Sequence, residues 1–232
     1  MKAISSMATR HVLADLARAA TKAGLPRVDL LSAGGVDAAR RVAAGEPVDL
    51  VFLARKALDT LADEGHVRRE TVTDLVVSSV AAALPDAGEN SAVCPSGAAF
   101  DDATEMQAAL TAAERIGYST GPSGTSLLAM ISGWGMSDEI GPKLVQAPPG
   151  IPVATLLARR EVDLGLQQLS ELVGQPGVRI MGVLPADCAI DTVFAGAVAR
   201  RALGSDEARA VLAFFGSPGV HEITRSHSFQ PV

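Results

Sequence analysis

The chain of 232 residues carries a formal net charge of −6, with 48% apolar and 20% charged residues. This composition suits a globular α/β chain with a substantial core rather than a disordered one, and its acidic balance excludes a global basic field for nucleic acid or an anionic membrane. The two cysteines, Cys94 and Cys188, have no CxxC spacing and read as free thiols, so neither a metal framework nor a disulfide scaffold is expected.

The pattern along the chain is an alternation of apolar runs and helical periodicity. Residues 2–5 read as a short buried strand, and Ser6 as the N-cap of a helix with Val12, Leu13, Leu16, Ala19 and Ala20 at helical spacing, stopped by Gly24-Leu25-Pro26. A strand over 27–33, a helix over 36–44, a strand over 48–54 and a helix over 56–63 follow. Strands that are apolar runs rather than period-two patterns point to parallel sheets covered on both faces. The run 71–85 is long for a strand and leads into the polar stretch 85–102, which reads as a crossover to a second lobe. The alternation then restarts: helix 103–115, strand 116–119, turn 121–126, helix 127–132, strand 144–146, helix 153–160 and strand 162–168. Strands over 177–185 and 189–199 and helices over 206–215 and 219–226 close the chain. No apolar run approaches 20 residues, so no membrane insertion is expected. The N-terminal stretch lacks an apolar h-region and a cleavage site, so the chain as written is expected to be cytoplasmic, or periplasmic where a leader has been removed.

Parallel α/β lobes place ligands where strand ends lead into helix N-termini, whose free N–H groups favour anions. Three such junctions carry small hydroxyl residues: Ser5-Ser6, Ser32-Ala33-Gly34, and Ser123-Gly124-Thr125-Ser126. Hydroxyls donate to an oxyanion, and glycines let backbone amides approach it. The competing reading is that these are ordinary caps and turn formers. The third junction is neither a Walker loop, since no Lys follows Gly124, nor a dinucleotide turn, which requires GxGxxG. "GYSTG" matches GxSxG only formally, because Pro122 opens a further turn and no histidine is placed as a base. His11, His66, His221 and His227 show no metal-binding spacing, so no metal is expected. Arg55, just past the third strand, is either a guanidinium for a carboxylate ligand or a solvated first-turn cation.

The runs "ISSMATRHVLADLA", "AARRVAAGEPVDLVFLARKALDTLADEGHV" and "GYSTGPSGTSLLAM" through "GLQQLSEL" together resemble the molybdate-binding-protein branch of the extracellular solute-binding proteins, over nearly the whole chain. The resemblance implies a type II periplasmic-binding-protein fold. Its two α/β lobes, each a mostly parallel sheet flanked by helices, would comprise 1–82 with 193–232 and 83–192. They would close on a small anionic ligand in an interlobe cleft, through a two-segment hinge near 82–85 and 191–195. It implies no cofactor, and a transporter permease as partner only where the chain is exported. By position, Ser6 and Ser32 match the serines of the first lobe, and the backbone near Thr125 and Val153 the amide donors of the second. The family's tyrosine is replaced around Gln167-Gln168. Gln168 offers both a donor and an acceptor, which suits a ligand with both oxygen types better than molybdate. The same branch includes proteins resembling aconitate isomerase, which shift a double bond in a small polycarboxylate. For that chemistry Glu171 and His11 are the candidate bases.

Overall fold

A computed structural model describes residues 1–86 and 97–232. Cys94 and the middle of the stretch read as a crossover lie outside the described residues. Two compact units are present, one of Met1–Ser78 with Thr192–Val232 and the other of Ser79–Asp191.

The first unit begins with β1 (Lys2–Ser6), α1 (Arg10–Lys22), β2 (Asp29–Ala33), α2 (Gly35–Ala43), β3 (Leu50–Ala54) and α3 (Arg55–Asp63). β1 lies between β2 and β3, parallel to both. The helix α1 buries Val12, Leu13, Leu16, Ala17 and Ala20, one stripe at helical spacing. It ends where Gly24 takes a left-handed φ of 87° and the Leu25 N–H reaches back to the Ala20 carbonyl. The expected Ser6 cap is replaced by a 3₁₀ turn over Met7–Thr9, and the Ser6 hydroxyl makes no capping bond. β4 (Thr73–Pro85), the long run noted in the sequence, then carries the chain from the first unit into the second.

The second unit contains the rest of β4, α4 (Ala103–Ala112), β5 (Ile116–Tyr118), α5 (Pro122–Gly133), α6 (Ser137–Ile140), β6 (Leu144–Gln146), α7 (Val153–Ala158), β7 (Leu164–Gln168), α8 (Leu169–Leu172) and β8 (Val178–Val183). β5 is parallel to β6 and β7, while β4 pairs antiparallel with β7 and β8. One face packs Leu164 and Leu166 with Met106, Leu110, Leu127 and Ile131 of α4 and α5. The other packs α7 so closely that a Cβ on Gly165 would stand 2.7 Å from Leu157 Cδ1, which is why this buried position has no side chain. The expected turn over 121–126 is corrected: Pro122 starts α5, where its fixed φ and missing N–H suit the first helical position. The single turns α6 and α8 are too short to show a period in the sequence.

The chain returns to the first unit with β9 (Asp191–Val198), α9 (Ser205–Phe215), α10 (His221–Ser226) and β10 (Gln230–Pro231). β9 lies antiparallel on β3 and β10 on the start of β4, so the sheet is mixed rather than purely parallel. All five residues of β3 are buried. Leu50, Phe52 and Ala54 join the core beneath α1 and α9, while Val51 and Leu53 join the one beneath α2 and α3. That two-sided burial is the physical reason for an apolar run without alternation. Among the described residues no helix is long and apolar enough to cross a membrane.

Candidate functional site

In the first unit the parallel register sets Ser5 level with Ser32, and their hydroxyls meet at 2.9 Å. Ser5 is fully buried and also lies 3.1 Å from the Ser6 carbonyl, whereas Ser32 is half-buried. The single Ser5 proton goes either to the Ser6 carbonyl, with Ser32 donating to Ser5, or to Ser32, which frees the Ser32 proton for another acceptor. The Ser6 hydroxyl is 3.4 Å from that of Thr9, a long contact. Ala33 ends β2 and Gly34 caps α2, with open space where a Gly34 side chain would stand. The first intrahelical donor of α2 is the Ala38 N–H, so those of Gly35, Val36 and Asp37 sit at the helix mouth.

Arg55 opens α3 but is not a free cation. Its Nε donates to both Asp59 oxygens at 3.0 and 3.2 Å and its Nη1 to Asp74 Oδ1 at 2.8 Å. Hydrogen bonds to Asp74 and then Asp59 favour its charged form further. Two carboxylates thus match the charge that the sequence left open for a ligand. His11 is exposed in the first turn of α1; partial burial and the neighbouring Arg10 and His227 hold its pKa below the ordinary value, against the pull of Asp15. Asp15 itself bonds His227 Nε2 at 3.0 Å. No bond joins His11 to Ser5, Ser6 or Ser32.

In the second unit Ser123 is buried, and its hydroxyl lies 3.0 Å from that of Ser119, across the turn that holds Pro122. Gly124 is obligatory there, because a Cβ would fall 1.8 Å from the Ser119 carbonyl oxygen. The Thr125 N–H, expected to serve a ligand, is instead bonded to the Gly121 carbonyl at 3.2 Å. The N–H groups of Ser123 and Gly124, the two residues before it, have no acceptor among the described residues. The side chains of Thr125 and Ser126 are exposed. The Val153 N–H, also expected to serve a ligand, donates to Gln167 Oε1 at 2.8 Å in a buried bond. The unbonded amides near Thr125 are thus those of Ser123 and Gly124, both within the expected junction, while Ser119 was not among the expected site residues. An i, i+4 pair of hydroxyls flanking a proline at the start of a helix was the signal that could have found it.

Gln168 ends β7 and is only 2% exposed, and its Oε1 is the buried side-chain oxygen without a partner among the described residues. Glu171 stands three residues on, half-buried in α8. Cys188 is a free, buried thiol 3.6 Å from the Met106 sulfur; burial, then Asp187, pushes its pKa up to about 11, which makes it unreactive. Among the described residues no group of three or more His, Cys, Asp or Glu could hold a metal ion.

Comparison with known proteins gives this geometry its context. A family model described as bacterial extracellular solute-binding protein matches residues 1–230. An aconitate isomerase from Pseudomonas sp. is 30% identical over 195 residues, covering 83% of this chain and 71% of that protein. The periplasmic molybdate-binding protein of Azotobacter vinelandii superposes with a TM-score of 0.76 at 17% identity, over 99% of this chain and 98% of the other. The sulfate-binding protein SubI of Mycobacterium tuberculosis gives 0.77 at 16% identity, over 100% and 86%. The fold is the type II periplasmic-binding-protein fold expected from the sequence. The chain belongs to the bacterial extracellular solute-binding protein family.

Proposed function

We propose that this protein binds a small anion, an organic di- or tricarboxylate or an oxyanion, through neutral hydroxyl and amide donors. The observation that carries this reading is the junction of β5 and α5. There the Ser119–Ser123 hydroxyl pair retains a proton beyond its own bond, next to two unbonded N–H groups at the positive end of a twelve-residue helix. Ser5, Ser6 and Ser32, with the mouth of α2, form a second set of the same chemistry in the first unit. Neither set includes an unpaired cation, so recognition relies on oriented dipoles rather than on a counter-charge. Coupling to a permease belongs to this reading only for an exported form of the chain.

Thermal-shift and calorimetric titration against sulfate, molybdate, phosphate and a series of di- and tricarboxylates tests it. A ligand at 100 times its Kd adds about 2.7 kcal/mol of stability, which for a chain of this size raises the Tm by roughly 5–10 °C. Ser123→Ala, which leaves the helix amides in place, should weaken binding about 10–150-fold, the range for one hydrogen bond to a charged group. Ser32→Ala and the double variant then read whether both sets act on one ligand. No shift with any member of the panel would sink the proposal.

A second reading follows from the 30% identical aconitate isomerase. In it the same donors hold an unsaturated polycarboxylate while a base takes an allylic proton and returns it at the other end of the three-carbon unit. The double bond moves and nothing else is gained or lost. Glu171, three residues after Gln168 in the chain, is the proposed base. Incubation with cis- or trans-aconitate in D₂O, followed by NMR, should show isomerisation with deuterium at the allylic carbon, and Glu171→Gln should abolish both while ligand binding persists. Unchanged spectra from wild-type protein would remove aconitate as a substrate.

A further inference from the structure

The buried oxygen of Gln168 has a consequence for which anion the second unit accepts. A buried carboxamide oxygen without a donor is unfavourable, and in folded proteins such atoms are rare enough to need an explanation. The adjacent Gln167 shows the contrast: equally buried, its Oε1 receives the Val153 N–H. Gln168 is held at the end of the same strand with no such donor.

Its placement supplies the reason. β5 and β7 run parallel with Tyr118 level with Leu166, so Ser119, which follows β5, leaves the sheet at the same end at which β7 finishes in Gln167 and Gln168. Side chains alternate along a strand, and Leu164 and Leu166 share a core with Leu127 and Ile131 of α5. Gln168 continues that row, so it lies on the face of the sheet that α5 covers, at the strand ends from which α5 departs. The unbonded N–H groups of Ser123 and Gly124 and the Ser119–Ser123 hydroxyls sit at that helix start. Donors there serve the lone pairs of an anion. The Gln168 oxygen can only accept, so it is satisfied by a ligand that also brings a hydrogen.

We propose that Gln168 is a specificity-determining residue that selects anions carrying an O–H donor over fully deprotonated anions of the same shape. A hydroxy acid, a protonated carboxyl or hydrogen phosphate would place its O–H on Gln168 Oε1 while its charged oxygens take the α5 amides. Sulfate, or an acid lacking the hydroxyl, would set lone pair against lone pair and leave the oxygen unpaired. A site built to bond a hydroxyl rejects the analogue without it far more strongly than an apolar pocket does. The inference rests on the reading of this junction as an anion site.

Isothermal titration of the full chain with matched pairs separates the two ideas: malate against succinate, citrate against tricarballylate, and phosphate against sulfate at pH 7. The expected result is a preference of about tenfold or more for the O–H member of every pair that binds. In Gln168→Met, similar in length but with only a weak thioether acceptor, the ratio should fall to within about threefold, mainly through better binding of the deprotonated member. Should that variant fail to fold, Gln168→Leu and the wild-type ratio carry the test. Equal affinities in wild-type protein, or preference for sulfate or the deoxy acid, which an amide N–H turned to the ligand would give, overturn the role of Gln168 and leave the anion site standing. Absence of binding by every member overturns the anion reading and this inference with it.

Discussion

Gln167 Oε1 accepts the N–H of Val153 across 2.8 Å in the interior of the second unit. That bond ties the end of β7 to the first residue of α7, and Val153 is fully buried. Replacing Gln167 by Leu keeps the volume but strands the N–H, at a cost of about 1–3 kcal/mol. The Tm should fall by roughly 3–10 °C, and the Val153 amide should lose its protection against hydrogen exchange. Protection at wild-type level in the variant would show that the bond is not what holds α7.

Gly124 has no room for a methyl group, since an ideal Cβ lies 1.8 Å from the Ser119 carbonyl oxygen. The oxygen is backbone and a Cβ is fixed by the backbone at its own Cα, so no side-chain rotation relieves the clash. Gly124→Ala should therefore displace the start of α5, lower stability by about 3 kcal/mol or more, and weaken anion binding far more than Gly133→Ala. A Gly133 side chain would meet open space and tests the helix's tolerance of alanine at its other end. Denaturant unfolding of both variants reads the difference.

The order of strands and helices was legible because burial on both sheet faces writes apolar runs such as "VDLVFLA" into the chain, and amphipathic helices write their own period. Helix boundaries near Pro122 were less so, because Pro and Gly signal both a turn and a helix start. The chemistry of the strand ends was half legible. The hydroxyl-bearing junctions stand out as local composition, and Ser32 and Ser123 do occupy strand-to-helix junctions. Which amides remain free depends on partners distant in sequence: Gln167 takes the Val153 N–H from 14 residues away, and Asp74 takes Arg55 from 19 away. No local pattern records such pairings. Gln168 was noticed for its amide, but the missing donor on its oxygen exists only once the chain is folded.

Arg55 illustrates how a pairing changes a prediction. With Asp59 and Asp74 on its guanidinium, removing it exposes two carboxylates rather than emptying an anion site. The side chain is 43% exposed, so solvent screens the pairs, and Arg55→Gln should cost at most about 1 kcal/mol. Anion affinity should stay within about threefold of wild type at 0.15 M salt, where screening is strong. A loss of tenfold or more would make Arg55 a ligand contact after all. Asp74→Asn then discriminates further: if the guanidinium is merely held by Asp74, freeing it should strengthen anion binding or leave it unchanged.

Asp163 gives the second unit its clearest pH dependence. Its carboxylate receives the N–H of Glu114 at 2.8 Å and that of Arg115 at 2.6 Å, fixing the entry to β5 against the entry to β7. Burial pushes its pKa up, but these backbone bonds outweigh it and hold the value below the ordinary 3.8. A carboxyl depressed in the folded state binds its proton more readily when unfolded, so its contribution is fully present above 3.8 and is lost as the pH falls through the folded value. Asp163→Asn keeps one acceptor oxygen but not the charge, and should lower stability by about 1–2 kcal/mol at pH 7, part of the loss of a charge-assisted pair. The gap between variant and wild type should narrow as the pH is lowered from 5 to 3 in urea melts, because protonation removes from wild type what the substitution has already removed. A gap constant over that range would show that the Asp163 charge contributes nothing and that only the shape of the side chain matters.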